Sequence, residues 1–82
     1  MKTKAILHDM KALAALSPAE ALPRKKTLEK VLRKIEKKQQ KLTHKLEDAS
    51  DKKAREIRKK LEHLETQRQR GAALLTELDN GS

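Results

Sequence analysis

Hydrophobic residues along this chain recur every three or four positions, which is the spacing of one face of an α-helix. In the first segment this spacing joins Ile6, Leu7, Met10 and Leu13, while Lys and Asp residues lie between them. The pattern predicts an N-terminal amphipathic helix within residues 1–16.

A connector follows at residues 17–23. Ser17 and Glu20 have the spacing of a capping box, in which each side chain bonds to the backbone N–H of the other residue, and Pro18 suits the first position of a helix. Pro23 then interrupts the helix, because proline has no N–H to donate and disfavours helical geometry in the preceding residue. We therefore expect one short helical turn inside the connector.

From residue 24 onward the apolar positions alternate steps of four and three, the heptad pattern of a coiled coil. They form two stripes that lose their common phase between Glu47 and Asp51, and polar residues interrupt each stripe once, which favours one register. The first stripe comprises Leu28, Leu32, Ile35, Gln39, Leu42, Leu46 and Ala49; the second comprises Ala54, Ile57, Leu61, Leu64, Arg68, Gly71, Leu75 and Leu78.

Two all-α architectures account for the change of phase. In one, the chain turns at residues 48–51, with Asp48 or Ser50 capping the second helix, and the stripes pack as an antiparallel coiled-coil hairpin. In the other, one long continuous helix absorbs the change as an eleven-residue step and forms a dimeric coiled coil. We favour the hairpin, with the N-terminal helix packed at its base, because it brings the apolar ends together. The predicted divisions are a helix at 1–16, a connector at 17–23, a basic hairpin at 24–78 and a frayed tail at 79–82.

Charge is concentrated in the middle of the chain. The formal net charge is +9, and residues 24–60 contain 16 basic and 6 acidic residues. Like charges four positions apart, such as Lys30 and Lys34, repel each other, and phosphates would relieve that repulsion. We expect an anionic partner, which is structured RNA such as a ribosomal surface, duplex DNA or an acidic protein. A lysine-rich face can also simply keep a coiled coil soluble. The candidate nucleic-acid-binding residues are Lys30, Arg33, Lys34, Lys37, Lys38, Lys41, Lys45, Lys52, Arg55 and Lys59.

Composition narrows the chemistry further. The chain has no aromatic residue on which a base could stack, so backbone charge and shape would have to carry recognition. It has no Cys, its three His residues lack metal-ligand spacing, and no nucleophile has a base beside it. We therefore expect no enzymatic activity, no metal, no cofactor and no small-molecule substrate.

The apolar ends suggest a different function, the docking of a partner helix in an assembly or regulatory adaptor. The candidate partner-interface residues are Ile6, Leu7, Met10, Leu13, Leu74, Leu75 and Leu78. A thin two-helix stem also favours a homo-oligomer, most simply a dimer. We expect a cytoplasmic protein without a membrane span, since the apolar stretches are short and interrupted. Attachment of the basic N-terminal helix to an anionic membrane is a third and weaker alternative.

Overall fold

The computed structural model describes residues 3–80 and is helical throughout, with no strand in that range. Helix α1 spans Thr3–Ala14, a short α2 spans Pro18–Ala21, a 3₁₀ turn covers Leu22–Arg24, α3 spans Lys25–Glu47 and α4 spans Asp51–Asn80. The all-α prediction is therefore confirmed. Residues 1–2 and 81–82, which belonged to the predicted N-terminal helix and tail, lie outside the described residues.

The connector adopts the capping geometry that its sequence predicts. The Ser17 N–H donates to Glu20 Oε1 (3.2 Å), and the Glu20 N–H donates to Ser17 Oγ (3.3 Å). Pro18 occupies the start of α2, and Pro23 lies in the 3₁₀ turn that separates α2 from α3. The connector thus reverses the chain between α1 and α3 without a residue of positive φ.

Helices α3 and α4 are separated by three residues that contain neither Gly nor Pro. The Asp48 N–H and the Ala49 N–H donate back to the carbonyls of Lys45 and Leu46, both at 3.3 Å, and close α3. The Ser50 hydroxyl accepts from the Lys53 N–H (3.5 Å) and opens α4. The helix is therefore not continuous through this region.

The dimensions of the molecule show how α3 lies relative to α4. Its longest extent is 47 Å, which matches the length of about 45 Å expected for the 30 residues of α4 alone. A straight helix over residues 25–80 would reach about 84 Å. Because α3 and α4 also pack against each other, the chain turns back at residues 48–50.

Helix α1 packs against both long helices at one end of the molecule. Met10 is completely buried, and it lies against Leu32 of α3 and Gly71 of α4. The start of α1 lies beside the middle of α3 and its end beside the beginning of α3, so α1 runs antiparallel to α3. At about 18 Å for 12 residues, α1 covers less than half of the molecule's length.

Within α3 and α4 the buried residues follow the two predicted stripes, with two additions. Val31 is buried although it lies off the first stripe, and Leu74 is buried beside the second. Both are needed because α1 is a third helix, and three packed helices require a wider apolar face than two. The fully buried side chains at the centre are those of Met10, Leu28, Ile35 and Leu64.

Residues 79–80, which the sequence assigns to a tail, form the end of α4. Lys25, at the start of α3, contacts the Asp79 carboxylate in an ion pair. This pair holds the last turn of α4 against the first turn of α3.

Candidate nucleic-acid interface

Helix α3 carries the strongest positive charge in the structure. It contains nine Lys and Arg residues against three Glu residues, a net charge of +6. Helix α4 has eight Lys and Arg residues and six Asp and Glu residues, a net charge of +2. The apolar stripe of α3 faces inward, so its cations are left on the remaining surface of the helix.

All ten predicted nucleic-acid-binding residues are accessible to solvent. Lys38 is half-buried, and the other nine are exposed. Accessibility is required for contact with a macromolecular phosphate backbone, but it does not by itself distinguish a binding surface from an ordinary solvated one. The position of these side chains relative to α1 divides them into two groups.

A groove runs along the junction of α1 and α3, formed by two adjoining depressions of about 220 and 470 Å³ that share Lys34. We call it the α1–α3 groove. Its α1 wall exposes His8, Asp9 and Ala12, with Leu16 half-buried and Ile6 and Leu13 buried beneath them. Its other wall is cationic and carries Arg24, Lys30, Lys34, Lys37, Lys38 and Lys41.

The groove cations have no acidic partner within residues 3–80. The ion pairs in that range are Lys25 with Asp79 and Arg68 with Glu65, and neither involves a groove residue. Asp9 is the single carboxylate that lines the groove. Cations spaced three and four apart on one helix repel one another, so the groove has a positive potential that an anion would lower.

The remaining predicted cations lie elsewhere. Arg33 and Lys45 are exposed on α3 but do not line the groove. Lys52, Arg55 and Lys59 are exposed on the part of α4 nearest the turn. The structure therefore places five of the ten residues along the α1–α3 groove and leaves the other five on open surface.

Sequence reasoning missed Arg24, His8 and Asp9 as groove residues. The sequence places Arg24 at the start of the predicted hairpin and does not mark it as a nucleic-acid-binding residue. Its position opposite α1 depends on the 3₁₀ turn. The two α1 residues lie on the polar side of an amphipathic helix, and only the direction of α1 along α3 places them beside lysines. No local sequence signal specifies that direction.

A separate depression of about 720 Å³ lies between α3 and α4 and is lined by side chains of both charges. Glu36 and Glu47 line it together with Lys37, Lys41 and Arg68. Mixed charge gives it a weaker net potential than the α1–α3 groove. It is therefore the poorer candidate for a polyanion.

The two polar interruptions of the apolar stripes are joined through one carboxylate. Arg68 donates to Glu65 through Nε (2.5 Å) and through its terminal nitrogen (2.9 Å), and Gln39 Nε2 donates to Glu65 Oε1 (3.3 Å). The Arg68 hydrogen bonds, followed by that from Gln39, lower the pKa of Glu65 to about 2. The contact links α3 to α4 at one register, which fits the role that the sequence suggests for these positions.

The predicted partner-interface residues lie within the chain's own core. Ile6, Met10, Leu13, Leu74 and Leu78 are buried, and Leu7 and Leu75 are half-buried. A side chain that already packs inside the molecule offers little surface to a partner helix. Leu22, in the 3₁₀ turn, is the large hydrophobic residue that stands out as exposed, at 50%.

Two further properties concern the described residues as a whole. Within residues 3–80, no group of three His, Asp or Glu side chains is arranged to hold a metal ion. None of the helices in that range combines the length and apolar character that crossing a bilayer requires. No protein-family model, curated protein or solved structure matches the chain.

Proposed function

We propose that this protein is a non-catalytic nucleic-acid-binding protein that contacts the phosphate backbone of structured RNA or duplex DNA through the cations of α3. The observation that carries the proposal is the row of basic side chains along the α1–α3 groove, none of which has an acidic partner within residues 3–80. Neutralising phosphates with such a row releases counterions, which drives binding.

The absence of aromatic residues is consistent with backbone recognition. Sequence-specific recognition of single strands relies on stacking against rings, and this chain has none. Phosphate contacts need only cations in a suitable position. We therefore propose recognition of charge and shape, with little discrimination between base sequences.

Architecture and assembly belong to the same proposal. We propose that α3 and α4 form an antiparallel coiled-coil hairpin and that two copies associate in the cytoplasm. Leu46 and Leu61 are only half-buried, and a second copy would cover them. Sedimentation of the protein across a range of concentrations tests the association, because a species of one chain's mass at every concentration would contradict it.

The salt dependence of binding tests the nucleic-acid proposal. Six phosphate contacts predict a slope of about −5 for the logarithm of the association constant against the logarithm of salt concentration, and a loss of about a thousandfold between 50 and 200 mM. Fluorescence anisotropy with an end-labelled duplex measures both quantities. Affinity that does not change with salt would contradict backbone recognition.

Charge reversal identifies the responsible surface. The triple variant Lys34→Glu, Lys37→Glu, Lys41→Glu should make the slope shallower by about 2.7 units, on the basis of 0.9 per phosphate contact. The matched control reverses three exposed cations outside the groove, Lys4, Lys11 and Arg70, and so changes the net charge equally. If both variants lose the same affinity, total charge and not α3 accounts for binding.

A further inference from the structure

The two walls of the α1–α3 groove differ in chemical character. The α3 wall presents cations along a row that begins at Arg24 and ends at Lys41, a span of about 25 Å at 1.5 Å per residue. The α1 wall has no Lys or Arg; its exposed members are His8, Asp9 and Ala12, and Leu16 beside them is half-buried. A ligand that fits both walls has anionic groups along one edge and uncharged groups along the other.

We propose, resting on the function proposed above, that the α1–α3 groove binds one phosphodiester strand with its phosphates toward α3 and its sugars toward α1. A strand has the required two edges, because its phosphates are charged and the sugar ring presents carbon atoms. The six cations of the groove lie in one row, so consecutive phosphates of such a strand can each lie beside a cation.

In this arrangement α1 orients the strand in addition to packing on α3 and α4. An open face of α3 would attract phosphates from any direction, whereas a groove with cations on one wall alone fixes which side of the strand meets the lysines. Ala12 lies on the α1 wall and is exposed, so a side chain placed there reaches the groove without disturbing the core. A substitution at position 12 can therefore distinguish a ligand bound inside the groove from one that is attracted to the cations of α3 alone.

The first test removes cations inside and outside the groove on the same helix. Lys30, Lys34 and Lys38 line the groove, whereas Lys26, Arg33 and Lys45 are exposed α3 cations that do not. Converting each set to Gln changes the net charge by the same amount. We expect the groove variant to lose about a hundredfold in affinity for a labelled RNA duplex at 150 mM salt, and the control variant to lose no more than about threefold. Circular dichroism establishes that both variants keep their helix content.

The second test acts on the α1 wall. Ala12→Glu introduces a carboxylate into the groove, while Ala73→Glu introduces the same charge at an exposed position of α4. Ala12→Glu should weaken binding at least tenfold more than Ala73→Glu, a difference equivalent to about 1.4 kcal/mol. Because the chain has no cysteine, Ala12→Cys and Ala73→Cys can each carry one photocrosslinker, and we expect crosslinks to the nucleic acid from position 12 alone.

The outcomes separate this inference from the proposed function. Equal losses from the groove and control variants, or equal effects at positions 12 and 73, would overturn binding in the groove and leave nucleic-acid binding in place. No binding of the unaltered protein to RNA or DNA at 20 mM salt would overturn both. Comparing a single strand with a duplex of equal length identifies the source of the strand, since the salt slope per phosphate is about −0.7 for single strands and about −0.9 for a duplex.

Discussion

The thioether of Met10 in α1 occupies the space in which a β-carbon on Gly71 of α4 would lie. A Cβ built on Gly71 would be 2.6 Å from Met10 Sδ and 2.7 Å from Met10 Cε. It would also be 3.1 Å from Leu32 Cδ2. The three main helices therefore meet at a residue without a side chain, and α1 approaches α4 more closely there than any larger residue would allow.

This relationship predicts strong coupling between positions 10 and 71. In the unaltered protein, Gly71→Ala gains up to about 1 kcal/mol of helix propensity but forces the fully buried Met10 to move, which costs about 1–3 kcal/mol. In a Met10→Ala background both contacts with Met10 are gone and the 3.1 Å contact with Leu32 Cδ2 remains, so the same substitution should be less destabilising there. We expect a coupling free energy of at least about 1 kcal/mol from urea unfolding followed by circular dichroism.

An exposed position of α4 supplies the control for that cycle. Ala73→Gly should destabilise the protein by about 1 kcal/mol in both backgrounds, because it changes helix propensity without touching Met10. If Gly71→Ala has the same effect whether or not Met10 is present, the close contact between these residues does not exist in solution.

The Glu65 carboxylate predicts a specific acid sensitivity. Its pKa is lowered from 4.5 to about 2 by hydrogen bonds from Arg68 and Gln39, so the folded state favours the ionised form. The corresponding stability is fully present above pH 4.5 and disappears as the pH falls toward 2. Glu65→Gln should therefore reduce the loss of unfolding free energy across that range. Glu62→Gln, an exposed residue without an ion pair within residues 3–80, should leave the pH profile unchanged.

The turn at residues 48–50 can be tested by distance measurement. Leu32 and Gly71 are neighbours across the helices, so spin labels on the adjacent exposed positions, Arg33→Cys and Arg70→Cys, should lie within about 30 Å. In a continuous straight helix these positions would be about 55 Å apart. Pulsed electron resonance, with labelled protein diluted into unlabelled protein, distinguishes the two distances.

A pair within α4 provides the calibration for the distance measurement. Arg55→Cys with Arg70→Cys should give about 22 Å in either architecture, because both residues belong to one helix. A long distance for the first pair together with the expected distance for this one would rule out the packing of α3 on α4.

The capping box predicts a measurable contribution from Ser17. Ser17→Ala removes the hydroxyl that accepts from the Glu20 N–H and should cost about 1 kcal/mol, because it leaves a helix N-terminus uncapped. Ser17→Asp, which retains an acceptor, should restore most of that stability. Ser50→Ala is the comparison, and its longer 3.5 Å contact with the Lys53 N–H predicts a smaller loss. Equal losses at both serines would contradict a stronger cap at Ser17 than at Ser50.

Local sequence patterns were sufficient to predict the helices and the capping box. The heptad stripes predict most of the core because two packed helices bury residues at steps of three and four, and Ile35 and Leu64 follow that rule. Val31 does not, because its burial depends on a third helix whose position along α3 is set by tertiary packing. The contact between Met10 and Gly71 has the same origin.

The candidate site was predicted less completely than the fold. Charge counting identifies α3 as the cationic helix, but it cannot distinguish Lys34, which lies beside α1, from Arg33, which does not. That difference depends on the antiparallel direction of α1. The carboxylate that joins Gln39 to Arg68 was also unforeseen, since Glu65 lies off both stripes and its partners are 26 and 3 residues away.

Helix α1 is much shorter than α3 and α4, so the two ends of the molecule are built differently. At one end three helices pack around Met10, whereas near the turn α3 and α4 pack as a pair, with Ala54 and Ile57 buried and Leu46 half-buried. We therefore expect backbone amides near Ser50 to exchange with deuterium through local separation of α3 from α4, and amides near Leu32 to exchange only through global unfolding.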